Sequence, residues 1–93
     1  MSFTRETSVE HARSDLAARL DIDAGDIVEN GVSDAEFPDM SLGAPENGEM
    51  SAQMISNGWR IKLSAAGKGY EYRADKYQIR LYDFEGKNFI VGG

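Results

Sequence analysis

The chain has 93 residues, of which 41% are hydrophobic and 28% are charged, and its formal net charge is −6. A chain of this length supports one small domain over residues 1–93. The absence of cysteine excludes disulfides, thiolate metal sites and cysteine nucleophiles, and the single His11 disfavours both a histidine-based metal site and a Ser-His-Asp triad.

The hydropathy pattern predicts a protein that does not enter a membrane. No apolar run approaches the roughly 18 residues that a transmembrane helix needs. The N-terminal residues lack the apolar core of a signal peptide, and we therefore expect a cytoplasmic location.

Charge is divided unevenly along the chain. Residues 1–56 carry three basic and twelve acidic side chains, a net charge of −9, whereas residues 57–93 carry seven basic and four acidic ones, a net charge of +3. Such asymmetry is typical of a polar interaction surface, although acidic side chains on a solvated helix and loops would give the same counts.

The first predicted element is a helix over residues 8–20. Thr7 and Glu10 have the spacing of a capping box, in which two side chains satisfy each other's backbone amides. An apolar stripe at helical spacing follows and consists of Val9, Ala12, Leu16 and Leu20. Because the sequence has no second long amphipathic helix, we expect this stripe to cover a sheet.

The acidic stretch at residues 21–30 has the composition of a calcium loop but not its spacing. Counted from Asp21, the fifth position is glycine, the sixth is aspartate and the twelfth is valine, which does not fit an EF-hand. We therefore predict a loop that ends the helix, and no metal site. A strand from Ile27 to Val32 follows, with a bulge at Gly31.

Residues 37–49 form the one long segment without periodicity. Two prolines and Asn47-Gly48 disfavour regular structure there. Long connections in small domains often carry function, although packed loops are common. The candidate binding residues in this segment are Phe37, Pro38, Asp39, Ser41, Leu42 and Gly43. For Asp39 and Ser41 the alternative role is to cap backbone groups.

Asn57-Gly58 is the strongest turn signal in the chain. Both residues tolerate the positive φ of a type I′ turn, and alternating polar and apolar residues flank them. The hairpin predicted over residues 51–63 pairs Ser56 with Trp59, Met54 with Ile61 and Ala52 with Leu63.

Two further turns, near residues 65–68 and at Asp75-Lys76, continue the antiparallel pairing. The first pairs Leu63 with Tyr70, Ile61 with Tyr72 and Trp59 with Ala74; the second pairs Ala74 with Tyr77, Tyr72 with Ile79 and Tyr70 with Leu81. The expected fold is α+β, with an N-terminal helix packed on one face of an antiparallel meander sheet of four to five strands. This layout is similar to cystatin-like and PepSY-like domains, a likeness of architecture that does not determine function.

The opposite face of this sheet is predicted to be basic and uncovered, because no helix remains to pack on it. Its candidate binding residues are Arg60, Lys62, Arg73 and Arg80. Glu71 is expected opposite both Lys62 and Arg80, and Arg60 opposite Arg73. Such a patch would fit a partner protein with an acidic segment; a solvated face that keeps exposed strands soluble is the alternative.

Residues 82–93 are expected to add a short hairpin that pairs Phe84 with Phe89. We treat this segment as a candidate C-terminal extension of the domain. It ends in Gly92-Gly93, and two terminal glycines are what an activating enzyme requires of a ubiquitin-like protein.

The stretch Phe37-Pro38-Asp39-Met40-Ser41-Leu42-Gly43-Ala44-Pro45, followed by Gln53, Gly58 and Tyr70-Glu71-Tyr72, resembles a small uncharacterised prokaryotic domain family. Members of that family carry an aromatic-Pro-Asp-x-Ser-Leu-Gly-Cys-Pro loop, and Ala44 stands where they often have cysteine. The resemblance covers residues 12–81 and implies no established activity and no catalytic residues.

The residues favour a non-enzymatic binding or regulatory module that uses the 37–45 loop, the basic sheet face or both. The alternative is a ubiquitin-like sulfur carrier or protein modifier that acts through Gly92-Gly93, although that fold begins with a hairpin and this chain with a helix.

An enzyme is the third class considered, and we do not expect one. Asp39 with Ser41, or Tyr70 with Glu71, would be its acid–base groups, but no motif positions them. We expect no catalytic residues and no cofactor. Nucleic acid is not an expected partner, because the aromatic side chains share the apolar face and not the basic one. The oligomeric state is not predicted.

Overall fold

The computed structural model describes residues 2–93 and contains one long helix and five strands. Helix α1 spans Arg5–Leu20, a short 3₁₀ helix spans Ala24–Asp26, and the strands are β1 Val28–Phe37, β2 Ser56–Ala65, β3 Lys68–Ala74, β4 Ile79–Phe84 and β5 Lys87–Gly92. The strands form one antiparallel sheet in the order β1-β2-β3-β4-β5. The predicted α+β fold, with an N-terminal helix packed on an antiparallel meander, is confirmed. No helix in the described part of the chain has the length and apolar character to cross a membrane.

Helix α1 begins one turn earlier than predicted. The capping box is formed by Thr4 and Thr7: the Thr4 hydroxyl accepts from the Thr7 amide at 3.1 Å, and the Thr7 hydroxyl accepts from the Thr4 amide at 2.8 Å. The prediction of a box between Thr7 and Glu10 was wrong, because a second threonine three residues upstream supplies the same reciprocal pair. The helix ends at Asp21, whose φ of 56° is the left-handed conformation of many helix C-termini.

Strand β1 confirms the predicted bulge and extends beyond the predicted end. The pairing register with β2 shifts between Glu29 and Gly31. The strand continues past Val32 to Phe37, which pairs with Ser56. Phe37 therefore ends a strand and does not begin an irregular segment.

The predicted turn at Asn57-Gly58 was wrong, because both residues lie inside β2. Asn57 pairs with Glu36 and Gly58 with Ala35, so β1 takes the place expected for residues 51–55. Gly58 is needed for a different reason: a Cβ atom at this position would overlap the carbonyl oxygen of Ala74. The glycine permits a close backbone approach, which is the second common use of this residue in strands.

The pairing of β2 with β3 is as predicted, and that of β3 with β4 differs by two residues. Ala74 pairs with Ile79 and Tyr72 with Leu81, so Arg80 lies opposite Arg73 and not opposite Glu71. The cause is a longer turn, in which the Asp75 carboxylate accepts hydrogen bonds from the amides at residues 77 and 78. A shift of two residues leaves each side chain that remains in the two strands on its predicted face.

The hydrophobic core lies between α1 and one face of the sheet. Ala12 and Leu16 from the helix and Ile61, Tyr72 and Leu81 from the strands are fully buried there. Trp59 and Leu20 pack against this core but stay partly exposed. Tyr77, which was expected on this face, lies in the β3–β4 turn and is exposed.

Residues 82–93 complete β4 and form β5, the second edge of the sheet. Phe84 pairs with Lys87, and Leu81 with Phe89. The predicted pair of Phe84 with Phe89 was wrong in register, although the two rings are in contact with centroids 6.2 Å apart.

Candidate functional site

Residues 38–55, hereafter the covering segment, lie across the sheet face opposite α1. Backbone carbonyls of the segment point at the sheet and accept hydrogen bonds from arginine side chains. Arg73 Nη1 donates to the carbonyls of Leu42 and Gly43, each at 3.1 Å, and Arg80 Nη1 donates to the carbonyl of Ala44 at 3.1 Å. The two sites predicted separately, the loop and the basic face, are therefore two sides of one contact.

Arg80 is the central residue of this contact. Its guanidinium holds both carboxylate oxygens of Glu49, with 2.7 Å between Nη2 and Oε2, and the residue is only 4% exposed. Hydrogen bonding from Arg80 outweighs desolvation and lowers the pKa of Glu49 to about 2. The acidic partner of Arg80 thus comes from the same chain.

Asp39 organises the first part of the covering segment. Its Oδ1 atom accepts from the Ser41 amide at 3.0 Å, from the Ser41 hydroxyl at 2.6 Å and from the Gly43 amide at 3.1 Å. The Ser41 hydroxyl hydrogen bond is the main reason why the pKa of Asp39 lies below its ordinary value. The structure shows the backbone-capping role for Asp39, whereas the Ser41 hydroxyl donates to the Asp39 carboxylate and caps no backbone group among the described residues.

The predicted basic face is largely covered, which corrects the expectation of an uncovered face. Arg60 and Arg73 both donate to Oε2 of Glu71, at 3.2 and 2.8 Å. Their guanidinium carbons lie 5.6 and 5.7 Å from the ring centroid of Phe37. Because Arg73 and Arg80 are used within the fold, the side chains that still reach solvent are those of Arg60 and Lys62.

The candidate residues of the 37–45 loop mostly face inward. Phe37, Ser41 and Leu42 are buried, and Asp39 and Gly43 are partly buried. Pro38 is exposed. Most of the loop motif singled out in the sequence therefore holds the covering segment on the sheet and is not available to a partner.

Of the two acid–base pairs considered from the sequence, one includes a buried serine and the other is divided between the two faces of the sheet. Ser41 is buried, so a substrate would not reach its hydroxyl. Tyr70 pairs with Leu63 and Glu71 with Lys62, which places the tyrosine and the glutamate on opposite faces of the sheet. Within residues 2–93, no three His, Cys, Asp or Glu side chains are grouped in a way that could hold a metal ion.

Gly92 is the last residue of β5, and Gly93 follows outside the sheet. Gly92 pairs with Ile79, and a Cβ atom at Gly92 would lie 3.1 Å from Nε2 of His11. His11 Nε2 is also 2.8 Å from the carbonyl oxygen of Val91. These contacts hold Gly92 against the helix, whereas conjugation would require a free extended tail.

An exposed apolar groove lies where the covering segment returns to the sheet. We call it the methionine groove; four of its side chains are Met40, Met54, Ile55 and Tyr77, which are 48, 62, 65 and 67% exposed. The groove has a volume of about 580 Å³, and Trp59 forms part of its wall. No other pocket described in this chain groups as many exposed apolar side chains.

Sequence reasoning missed this groove. Met54 and Ile55 were assigned to a hairpin strand, and Tyr77 to the apolar face of the sheet. The available signal was the group of apolar residues that directly follows the aperiodic residues 37–49, namely Met50, Met54 and Ile55.

Comparison with protein families gives one match. A family described as "Domain of unknown function (DUF8738)" matches residues 9–81, which is close to the extent of the resemblance recognised in the sequence. No curated protein and no solved structure matches the chain.

Proposed function

The chain belongs to the DUF8738 family, and we propose that it is a non-enzymatic protein-binding module that docks an apolar segment of a partner in the methionine groove. The observation that carries this proposal is the grouping of Met40, Met54, Ile55 and Tyr77, each about half exposed or more, around one concave surface. Contiguous exposed apolar patches on small proteins commonly mark interaction sites.

The methionine groove rests on fixed supports. Gln78 Nε2 donates to the carbonyl of Met40 at 2.6 Å, and the Met40 amide donates to the carbonyl of Ala52 at 3.1 Å. Asp75 fixes the turn that carries Tyr77. The backbone is thereby held, while the flexible methionine side chains can adapt to different apolar side chains of a partner.

The charge around the groove favours a partner segment that carries an acidic residue. Of the two ionisable carboxylate or ammonium groups in its wall, Asp75 is buried and used by its own turn, whereas Lys76 is exposed. Arg60 and Lys62 lie further along β2 and reach solvent. A partner with apolar residues flanked by glutamate or aspartate complements this surface, and this is the acidic segment expected from the charge distribution.

A non-enzymatic role is supported by how the carboxylates are used. Asp39 and Glu49 both have a lowered pKa because donors of the chain itself hold their charged forms. An efficient general acid or base needs a pKa near the working pH, and these two groups are shifted away from it.

The test is a chemical-shift titration of the ¹⁵N-labelled protein with two blocked six-residue peptides. One alternates leucine with glutamate, and the other alternates leucine with lysine. We expect the glutamate peptide to shift amides around Met54 and Tyr77 and to bind at least several-fold more tightly. Raising the salt concentration should reduce this preference, because exposed charges are screened over about 8–10 Å.

Matched variants identify the surface. Met54→Ser and Tyr77→Ser each remove an exposed apolar side chain from the groove and should weaken binding roughly tenfold, as the loss of one buried apolar contact does. Val28→Ser removes a similarly exposed apolar side chain, 56% exposed, from the start of β1 and should leave binding unchanged. Shifts confined to Lys62 and its neighbours, or equal effects of all three substitutions, would overturn the proposal.

A further inference from the structure

The outer edge of β1 is protected along only half of its length. β1 pairs with β2 alone, so its other side is open. Near its start, the bulge at Gly31 interrupts the ladder, and Arg13 donates to the carbonyl of Ile27 at 2.5 Å. Arg5 Nη2 donates to the carbonyl of Val32 at 2.6 Å. Bulges and covering groups are two ways in which proteins block an exposed strand edge.

The second half of β1 presents free backbone groups. In an antiparallel strand the amide and carbonyl of one residue point to the same side, and that side alternates along the chain. The hydrogen bond from Arg5 shows that the Val32 carbonyl points away from β2. The amides and carbonyls of Asp34 and Glu36 therefore also point to the open side, where they are available to an added strand.

Side chains beside this open edge favour a cation. Asp34 pairs with Trp59 and Glu36 with Asn57, so both carboxylates lie on the same face of the sheet as the indole ring. A groove of about 530 Å³ is lined by these residues together with Ala35 and Gly58. No ion pair engages Asp34 or Glu36, and no cation lies over Trp59, within residues 2–93.

We infer that the open half of β1, residues 33–37, binds an extended basic segment of a partner protein as an added sixth strand. Main-chain hydrogen bonds to Asp34 and Glu36 hold the segment, as in other complexes formed by strand addition. A lysine or arginine of the segment lies against Trp59 and between the two carboxylates, where cation–π attraction and charge pairing act together.

A second copy of the chain is a poorer occupant of this edge. Antiparallel pairing of residues 33–37 with the same residues of a copy, centred on Ala35, would place Asp34 opposite Glu36 at two points, and like charges across a strand pair are destabilising. Charge complementarity therefore points to a basic segment. This surface adjoins the methionine groove at Asn57 and Trp59 but has the opposite charge preference. The inference does not depend on the function proposed for that groove.

The test uses three blocked six-residue peptides that alternate valine with lysine, glutamine or glutamate. Trp59 is the single tryptophan of the chain and lines this groove, so its fluorescence measures the affinity, while the amide shifts assign the site because Trp59 also lines the methionine groove. We expect the lysine peptide to bind at least tenfold more tightly than the glutamate peptide and to shift the amides of residues 33–37. A lysine peptide with N-methyl groups at alternate residues should lose binding, because it cannot form the ladder.

Charge-matched variants show whether the affinity for the lysine peptide depends on Asp34 and Glu36 themselves or only on the net charge of the protein. Asp34→Asn/Glu36→Gln should weaken the lysine peptide roughly three- to tenfold, as the loss of two exposed charge pairs does. Asp23→Asn/Asp26→Asn removes the same charge next to the 3₁₀ helix and should change affinity less than twofold. Met54→Ser/Tyr77→Ser should also leave this affinity unchanged.

Several outcomes would overturn the inference. Equal affinity for the lysine and glutamate peptides, equal weakening by the two charge-matched variants, or unaltered binding of the N-methylated peptide would each do so. Light scattering that shows a dimer broken by Asp34→Pro, which removes an outward-pointing amide from the edge, would assign the edge to a second copy instead.

Discussion

Arg80, on β4, and Glu49, in the covering segment, form a two-pronged ion pair across the sheet face that the helix leaves free. The pair joins residues 31 positions apart and fastens the second half of the covering segment to the sheet. Arg80 also binds the Ala44 carbonyl, so one buried guanidinium satisfies two separate points of the segment. The sequence predicts Arg80 on an exposed basic patch, whereas in the structure this residue stabilises the fold.

Replacement of Arg80 should destabilise the protein more than replacement of any other basic residue on the sheet face opposite α1. Arg80→Leu leaves the Ala44 carbonyl without its donor and leaves the Glu49 carboxylate with the Glu46 amide alone. We expect a loss at the lower end of the roughly 3–5 kcal/mol seen when one partner of a buried pair is removed, because Glu49 can still reach water. Urea unfolding monitored by Trp59 fluorescence measures this loss.

The matched control for Arg80 is Lys62, which lies on the same face and is exposed. Lys62→Leu should change the free energy of unfolding by no more than about 0.5 kcal/mol, as exposed substitutions do. Similar losses for the two variants would show that Arg80 does not fasten the covering segment.

The Glu49–Arg80 pair should make stability fall in acid. The pKa of Glu49 is about 2 in the folded protein and 4.5 for the free group. The ionised form is favoured by folding, so its contribution is complete above pH 4.5 and is lost as the pH falls towards 2. At about 1.4 kcal/mol per pKa unit the shift corresponds to about 3 kcal/mol, and because water reaches Glu49 and screens the pair, the contribution is smaller, on the order of 1–2 kcal/mol.

Urea unfolding at several pH values between about 6 and 2.5 checks this expectation. Glu49→Gln should make stability depend less steeply on pH than it does in the unaltered protein. Glu85→Gln removes an exposed carboxyl from the β4–β5 turn and serves as the charge-matched control. Identical pH profiles for the unaltered protein and Glu49→Gln would contradict the assignment.

A comparison of alanine variants at Gly58 and Gly69 tests the close approach of the Gly58 backbone to the Ala74 carbonyl. A Cβ atom at Gly58 would overlap the Ala74 carbonyl oxygen, whereas nothing lies within 4 Å of a Cβ atom at Gly69. Gly58→Ala should therefore cost roughly 1–3 kcal/mol, as overpacking does. Gly69→Ala should be neutral or stabilising by up to about 1 kcal/mol, because strand glycines lose more backbone entropy on folding than alanine.

Thermal unfolding of the two alanine variants under identical conditions gives the comparison. If Gly58 instead formed a turn with positive φ, the unaltered protein would show nuclear Overhauser contacts between Ser56 and Trp59, as the hairpin reading requires. We expect contacts between Gly58 and Ala35, its partner on β1.

Local patterns in the sequence were sufficient to predict the helix, the apolar face of the sheet and the pairing register of β2 with β3. The stripe that includes Ala12 and Leu16 has helical spacing, and both residues are fully buried against the sheet. The pairing of Ile61 with Tyr72 follows from alternation on both sides of a short turn. These features depend on neighbours a few residues apart along the chain, and the alternation kept each side chain on its face even where the β3–β4 register was wrong.

Only the tertiary structure decided which segment pairs with Trp59 and what covers the basic face. Asn57-Gly58 has the residue types of a turn. β1, some twenty residues earlier, nevertheless forms a longer ladder with β2, and this ladder includes both residues. The first part of the covering segment has no periodicity, and the alternation of its last residues predicted a strand. Nothing local therefore showed that its carbonyls contact Arg73 and Arg80 or that Met54 and Tyr77 line one groove. Contacts between distant segments are set by competition among all the pairings that the chain can form, and periodicity along one segment does not contain that information.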